Sequence, residues 1–138
     1  MDRVQTVGIV VLKDNDVLLV CHGEKAGHIT GSYGAPGGRI DENETLIHAA
    51  VRELEEETGL IAEEKDLIEL PEKYDADISR KDGTVMHCHH TVFAVRNFTG
   101  ELRGTEETEP EWVPIENLSS MELLANTEQM AQQALQYV

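Results

Sequence analysis

Basic residues, aromatics, cysteine and long apolar runs are all scarce in this 138-residue chain. Lysine and arginine number 11 against 27 aspartates and glutamates, a formal charge of −16. A chain so poor in clustered base offers no surface for nucleic acid or an anionic membrane, both of which are held by Lys and Arg. With aromatics at 4%, aliphatic side chains have to make the core. Cys21 and Cys88 stand alone, without a CxxC spacing. That excludes the usual zinc and redox motifs and reads as free buried thiols in a reducing cytoplasm. No apolar run approaches the roughly 20 residues that span a bilayer. Met1-Asp2-Arg3 leads directly into a strand pattern, without the apolar core of a signal peptide. These absences predict a soluble cytoplasmic protein, and the length predicts a single domain over residues 1–138.

What the chain has in abundance is acid, and its densest arrangement lies at residues 38–60. The spacing predicts a helix from about 45 to 58, with Thr45 or Asn43 as N-cap and Gly59 in the left-handed position that ends it. Each helical residue advances about 100°. Glu53, Glu56 and Glu57, at i, i+3 and i+4, therefore project from one face, while Ile47, Ala50, Val51, Leu54 and Thr58 form an adjoining core-facing stripe. Like charges at i,i+4 cost roughly 0.2–0.5 kcal/mol each, so three together suit a face that receives something positive. Hard carboxylate oxygens point to Mg²⁺ or Mn²⁺. A solvated acidic helix face is the plainer alternative. Ahead of the helix, Ala35-Pro36-Gly37-Gly38 is a rigid turn that permits close backbone approach.

Gly38, Glu44, Arg52, Glu53, Leu54, Glu56, Glu57, Gly59 and Leu60 together match every fixed position of G-x5-E-x7-R-E-U-x-E-E-x-G-U, with U aliphatic. The stretch resembles the Nudix box. The resemblance is strict over residues 35–60 and looser elsewhere. It implies an α/β fold, a Nudix-type α/β/α sandwich with a mixed β-sheet between helices, and an enzyme that uses Mg²⁺ or Mn²⁺ to hydrolyse a diphosphate linkage in a nucleoside diphosphate joined to another group. Glu53, Glu56 and Glu57 would hold the metal, and Glu57 or Glu53 would accept the water's proton. Arg52 would orient a box glutamate such as Glu44, and Gly38 and Gly59 would shape the loops. A further ligand or base is expected from the loop before the late tryptophan, where Glu111 fits best and Glu107 or Glu109 is an alternative; a merely solvated acidic loop is the other reading. Small departures, Asn43 for the usual glycine and His48 where an acid often caps the helix, leave the chemistry intact.

Elsewhere, Val4–Leu12 and Val17–Cys21 read as a hairpin and residues 22–34 as a loop. Leu67–Leu70 reads as a strand broken by Pro71. Tyr74–Ser79 and Thr84–Asn97 form a second hairpin, turning at Lys81-Asp82-Gly83. Glu101–Glu111 reads as an acidic loop, Trp112–Val113 as a short strand, Pro114–Leu118 as a turn and residues 122–137 as a terminal helix. Tyr33 reads as a packing residue. In the cluster His87-Cys88-His89-His90, His87 and His89 share one strand face and Cys88 and His90 the other. His87 and His89 could take a transition metal or a phosphate, or sit as plain surface or pocket residues. The resembling fold runs this strand past the substrate cleft, which implies a pocket role for them.

The resemblance implies, as the favoured substrate, a nucleoside triphosphate cut in the manner of the MutT-like branch to a monophosphate and pyrophosphate. ADP-ribose or another nucleotide sugar comes second and a dinucleoside polyphosphate third. The expected partner is thus a small nucleotide, with a homodimer allowed. A domain that binds nucleotides and regulates a partner without catalysis is the alternative from another class. Such domains usually lose box acids, and here all remain.

Overall fold

The structure is a computed structural model, and it describes residues 3–22, 32–79, 82–106 and 108–138. Parts of four sequence readings lie outside them: Met1 and Asp2 ahead of the first strand, residues 23–31 of the loop before the box, Lys81 of the second hairpin turn, and Glu107 of the acidic loop.

Strand β1 (Val4–Lys13) is the spine. Thr6 to Leu12 are all buried, the continuous run of a strand covered on both faces rather than an alternation. It turns through Asp14, at φ 54°, into β2 (Asp16–His22). Two short strands come next, β3 (Tyr33–Gly34) and β4 (Gly37–Arg39), then helix α1 (Leu46–Thr58) and β5 (Leu60–Ile61). After a 3-10 turn at Glu64–Asp66 comes the long hairpin of β6 (Ile68–Ser79) and β7 (Val85–Val95), then β8 (Thr99–Gly100) and β9 (Thr108–Pro114). A 3-10 turn over Ile115–Ser120 leads to helix α2 (Thr127–Ala134).

The main sheet runs β3-β2-β1-β7-β6, with β4 also on β1 and β9 on β2. β1 and β7 are parallel; the other pairs are antiparallel. Odd-numbered residues of β1 and β7 (Val7, Ile9, Val11, Phe93) pack with Ala50 and Leu54 of α1. Even-numbered ones (Val10, Leu12, Val92, Ala94) pack with Met130 and Ala131 of α2. This is the expected sandwich of a mixed sheet between helices. Among the described residues no helix is long and apolar enough to cross a membrane.

Three boundary readings are corrected. Pro71 does not end its strand: β6 continues through it, and the register against β7 slips between Glu69 and Lys73, a bulge that absorbs a residue without an N–H. The acidic loop ends earlier, because Thr108 to Glu111 pair along β2. The terminal helix is shorter, since Glu122–Leu124 bond β3 instead, with Leu124 N to Tyr33 O at 2.8 Å.

Candidate active site

Thr45 caps α1, its hydroxyl accepting from the His48 amide at 3.2 Å, and Asn43 takes the left-handed turn before it at φ 66°. Gly59, at φ 81°, ends the helix. The core stripe comes out as Ala49, Ala50, Leu54 and Thr58, with Ile47 and Val51 packed beside it. The turn at the box then settles against β4. Glu57 Oε1 accepts from the Gly37 amide at 2.6 Å. A Cβ on Gly38 would lie 2.7 Å from Glu53 Oε1, and one on Gly37 would run into the Val7 carbonyl. Glycine at position 37 lets β4 lie against the β1 backbone, and at position 38 it leaves the Glu53 carboxylate where it is.

Arg52 is the hub of the acids. Its Nε and Nη2 meet Glu44 Oε2 and Oε1 at 2.8 and 2.9 Å, and its Nη1 reaches Glu53 Oε1 at 3.1 Å and Glu56 Oε2 at 3.2 Å. The forked bond from Arg52 holds the Glu44 carboxyl far below the usual carboxylate range. Glu53 and Glu57 go the other way. Burial is the main cause for both: it raises the Glu53 carboxyl and pushes Glu57 up to about 8, against the pull of the Gly37 amide. The nearby acids add to both shifts.

A divalent cation fits this donor set. Burial drives the Glu53 and Glu57 carboxyls toward protonation even with Arg52 beside Glu53; a divalent cation would offset that cost, and hard oxygens are what Mg²⁺ takes. As placed, no three His, Cys, Asp or Glu side chains among the described residues stand together as a metal cluster. Arg52 draws Glu53 and Glu56 to itself, while Glu57 is tied to Gly37.

Behind the glycine strand lies a cavity of about 380 Å³. Gly37 and Gly38 form one wall, so one short strand separates the acids from the cavity. Cys88, His90, Tyr74 and Asn126 are among the other lining residues. Burial lowers His90 to about 4, so the ring is neutral at physiological pH, and its Nδ1 lies 2.6 Å from the Thr6 hydroxyl. Asn126 starts α2 in a left-handed turn at φ 68°, and its side chain makes no capping bond.

Comparison with known proteins decides the family: the chain matches the NUDIX domain over residues 2–136. The chain belongs to the NUDIX family. It is 33% identical over 113 residues to an ADP-ribose pyrophosphatase of Methanocaldococcus jannaschii, covering 81% of this chain and 62% of that one. It is 29% identical to the 8-oxo-dGTP diphosphatase of Escherichia coli, covering 83% of this chain and 81% of that one. The chain thus spans less than two thirds of the first relative. Among solved structures, a MutT NUDIX hydrolase of Burkholderia pseudomallei superposes with a TM-score of 0.80 at 27% identity, over 96% of this chain and 98% of the other.

Within this NUDIX domain, the structure gathers Glu44, Glu53 and Glu56 around Arg52, with Gly38 against Glu53 and Glu57 on the Gly37 amide, while Gly59 stands apart at the C-terminal end of α1. It does not bring Glu111 to these acids. Glu111 pairs with Leu19, whose side chain belongs to the α2-side core, whereas the next residue, Trp112, packs with the α1-side core and stacks on Phe98 at 5.6 Å. Alternation along β9 thus turns Glu111 and Glu109 away from the helix acids. Glu111 bonds Tyr33 instead and raises its phenol, and Tyr33 packs against the α2-side core. Thr108 of β9 does meet α1, its hydroxyl donating to the Glu57 carbonyl at 3.0 Å.

The histidine cluster divides between two faces as expected, but the pocket lies on the other face from the one assigned to it. Cys88 and His90 line the cavity, while His87 and His89 face the other side, bonded to Asp77 and Asp75 at 2.6 Å. Asn126 and Thr6 escaped the sequence reading, because only the folded chain brings α2 and β1 to one cavity.

Proposed function

We propose that this NUDIX domain, taken over residues 1–138, hydrolyses a P–O–P bond in a nucleoside triphosphate, releasing a nucleoside monophosphate and pyrophosphate. The shared glycine wall carries the reading. A diphosphate laid along Gly37 and Gly38 meets Glu53 and Glu57 on one side, and the nucleoside enters the cavity on the other. A cavity of about 380 Å³ suits one nucleoside, and pockets for small ligands are mostly apolar with a few placed polar groups. Asn126 and Thr6 supply those, an amide that both donates and accepts and a hydroxyl. The E. coli 8-oxo-dGTP diphosphatase, similar over most of both chains, supports the same choice.

Glu53, Glu56 and Glu57 would hold Mg²⁺ or Mn²⁺. When bound, the cation neutralises phosphate oxygens and the charge that builds as the bridging bond breaks. Glu57 or Glu53 takes the proton of the attacking water. Arg52 holds the acids in register through Glu44, and the glycine strand brings the substrate close. Cleavage of ADP-ribose is the second reading, favoured by the 33% identity to the M. jannaschii enzyme.

The test is a panel of nucleoside triphosphates, ADP-ribose and a dinucleoside polyphosphate with Mg²⁺, with products resolved by chromatography. Monophosphate and pyrophosphate from a triphosphate support the proposal. Turnover of ADP-ribose alone moves the function to the second reading. No turnover of any of them, with nucleotide still bound, returns it to a non-catalytic binding domain.

A further inference from the structure

The face of the β6–β7 hairpin away from the cavity carries a second cluster that the hydrolytic site does not use. His87 and His89 stand two residues apart on β7, on one face, with Cα atoms about 6.6 Å apart at the ordinary rise of a strand. Each has its carboxylate directly across on β6: Asp77 opposes His87 and Asp75 opposes His89. In both pairs the imidazole Nδ1 lies 2.6 Å from an aspartate Oδ1. Arg3 joins the two, with Nε 3.6 Å from Asp75 Oδ2 and Nη1 3.4 Å from Asp77 Oδ1. Both histidine side chains are about one third exposed, 34% and 35%.

Such bonding decides which ring nitrogen is free. A carboxylate on Nδ1 fixes the proton there, leaves Nε2 as the lone-pair donor and sets the ring's orientation. Metal-binding histidines are held in this way. The Nδ1 bond also draws the Asp77 carboxyl below its usual range, as expected for an aspartate committed to the imidazole. With Arg3 shared between them, the aspartates orient the rings rather than chelate.

We propose that His87 and His89 form a two-imidazole site for a divalent transition-metal ion of the kind that favours nitrogen ligands, such as Zn²⁺, separate from the box acids. Imidazole suits Zn²⁺, Ni²⁺ and Cu²⁺, whereas Mg²⁺ takes oxygen. Zn–N bonds of about 2.0–2.1 Å let two same-face rings share one ion. No third protein ligand joins them among the described residues, so water completes the shell and the ion exchanges readily.

The experiment titrates Zn²⁺ into the full chain at saturating Mg²⁺, which keeps the box acids occupied, and monitors the histidine ring resonances. The His87 and His89 signals move together and saturate near one equivalent. His87→Gln or His89→Gln weakens binding by about tenfold or more, and Asp75→Asn weakens it by about 10–100-fold, the usual cost of losing an orienting partner. Ring signals that stay put, or an affinity unchanged in the His87→Gln/His89→Gln double variant, overturn the proposal. Circular dichroism of each variant separates a lost site from a lost fold. Activity is not read, so the outcome stands apart from the fate of the hydrolytic reading.

Discussion

Arg52 grips Glu44 through two bonds of 2.8 and 2.9 Å, with the Glu44 side chain only 7% exposed. A planar guanidinium makes this fork and an ammonium cannot. Arg52→Lys should therefore lower stability by about 1.5–3 kcal/mol, the worth of a hydrogen bond to a charged group, and slow turnover as Glu53 and Glu56 lose their anchor. The exposed Lys65–Glu63 pair, 77% and 67% open, is the control. Glu63→Gln should leave stability close to that of the parent, as for exposed ion pairs in general. Urea unfolding of both variants checks the contrast.

Glu57→Gln should keep the fold and cut kcat by roughly 10²–10⁴-fold, the range for a catalytic acid–base group. Glu55, exposed on the same helix, is its matched control, and Glu55→Gln should leave kcat near that of the parent. Equal losses would sink the assignment by helix face.

Divalent metal should stabilise the free protein. A ligand at a hundredfold excess over its Kd adds about 2.7 kcal/mol, a rise in Tm of about 8 °C for a chain of this size. The rise should vanish in a Glu53/Glu56/Glu57 triple Gln variant. That variant, without metal, should melt no lower than the parent, since it relieves like charges and two partly buried carboxylates while the Gln side chains can still accept from Arg52. Thermal unfolding with Mg²⁺ and with EDTA reads both points.

His90 should make stability fall with acid. Its ring is held neutral to about pH 4 by burial, while the unfolded ring takes a proton near 6.5. Folding must release that proton, so the stability is complete above about pH 6.5 and shrinks as the pH drops toward 4. The slope reaches about 1.4 kcal/mol per pH unit at most. In His90→Gln this component is gone and the carboxylates still titrate. The difference between the two proteins should therefore be flat above pH 7 and narrow steadily to pH 4.5, as measured by urea unfolding.

Glu111→Gln should spare both kcat and the Mg²⁺ dependence of activity, because its carboxylate faces Tyr33 across the sheet from α1. A strong loss of kcat would show that β9 rearranges when substrate binds.

The helix and its caps were legible because their signals are local: Thr45, Asn43 and Gly59 act within one turn, and the 3.6-residue period assigns Glu53, Glu57 and Leu54 to their faces. The two-faced sheet was legible from the strand pattern together with the box. Glu111 was not, since its orientation depends on pairing with Leu19, nearly a hundred residues away. His90 and Cys88 were seen on one face, but only the packing of α2 and β4 shows that this face lines the cavity. Pro71 misled for a related reason. A proline ends a central strand, and nothing local says that this strand is an edge.

That edge has a consequence for how the molecule meets its neighbours. β6 closes the sheet on one side, and a long open strand offers another chain a ladder to extend. At Pro71 the ladder lacks a rung, and the slip between Glu69 and Lys73 throws the rest of the strand out of step. Glu72, Lys73, Asp75 and Asp77 add charges along the exposed run. A crowded solution of this protein therefore has no ready template here for strand-by-strand growth, and the bulge guards solubility on a chain whose core strands are almost wholly aliphatic.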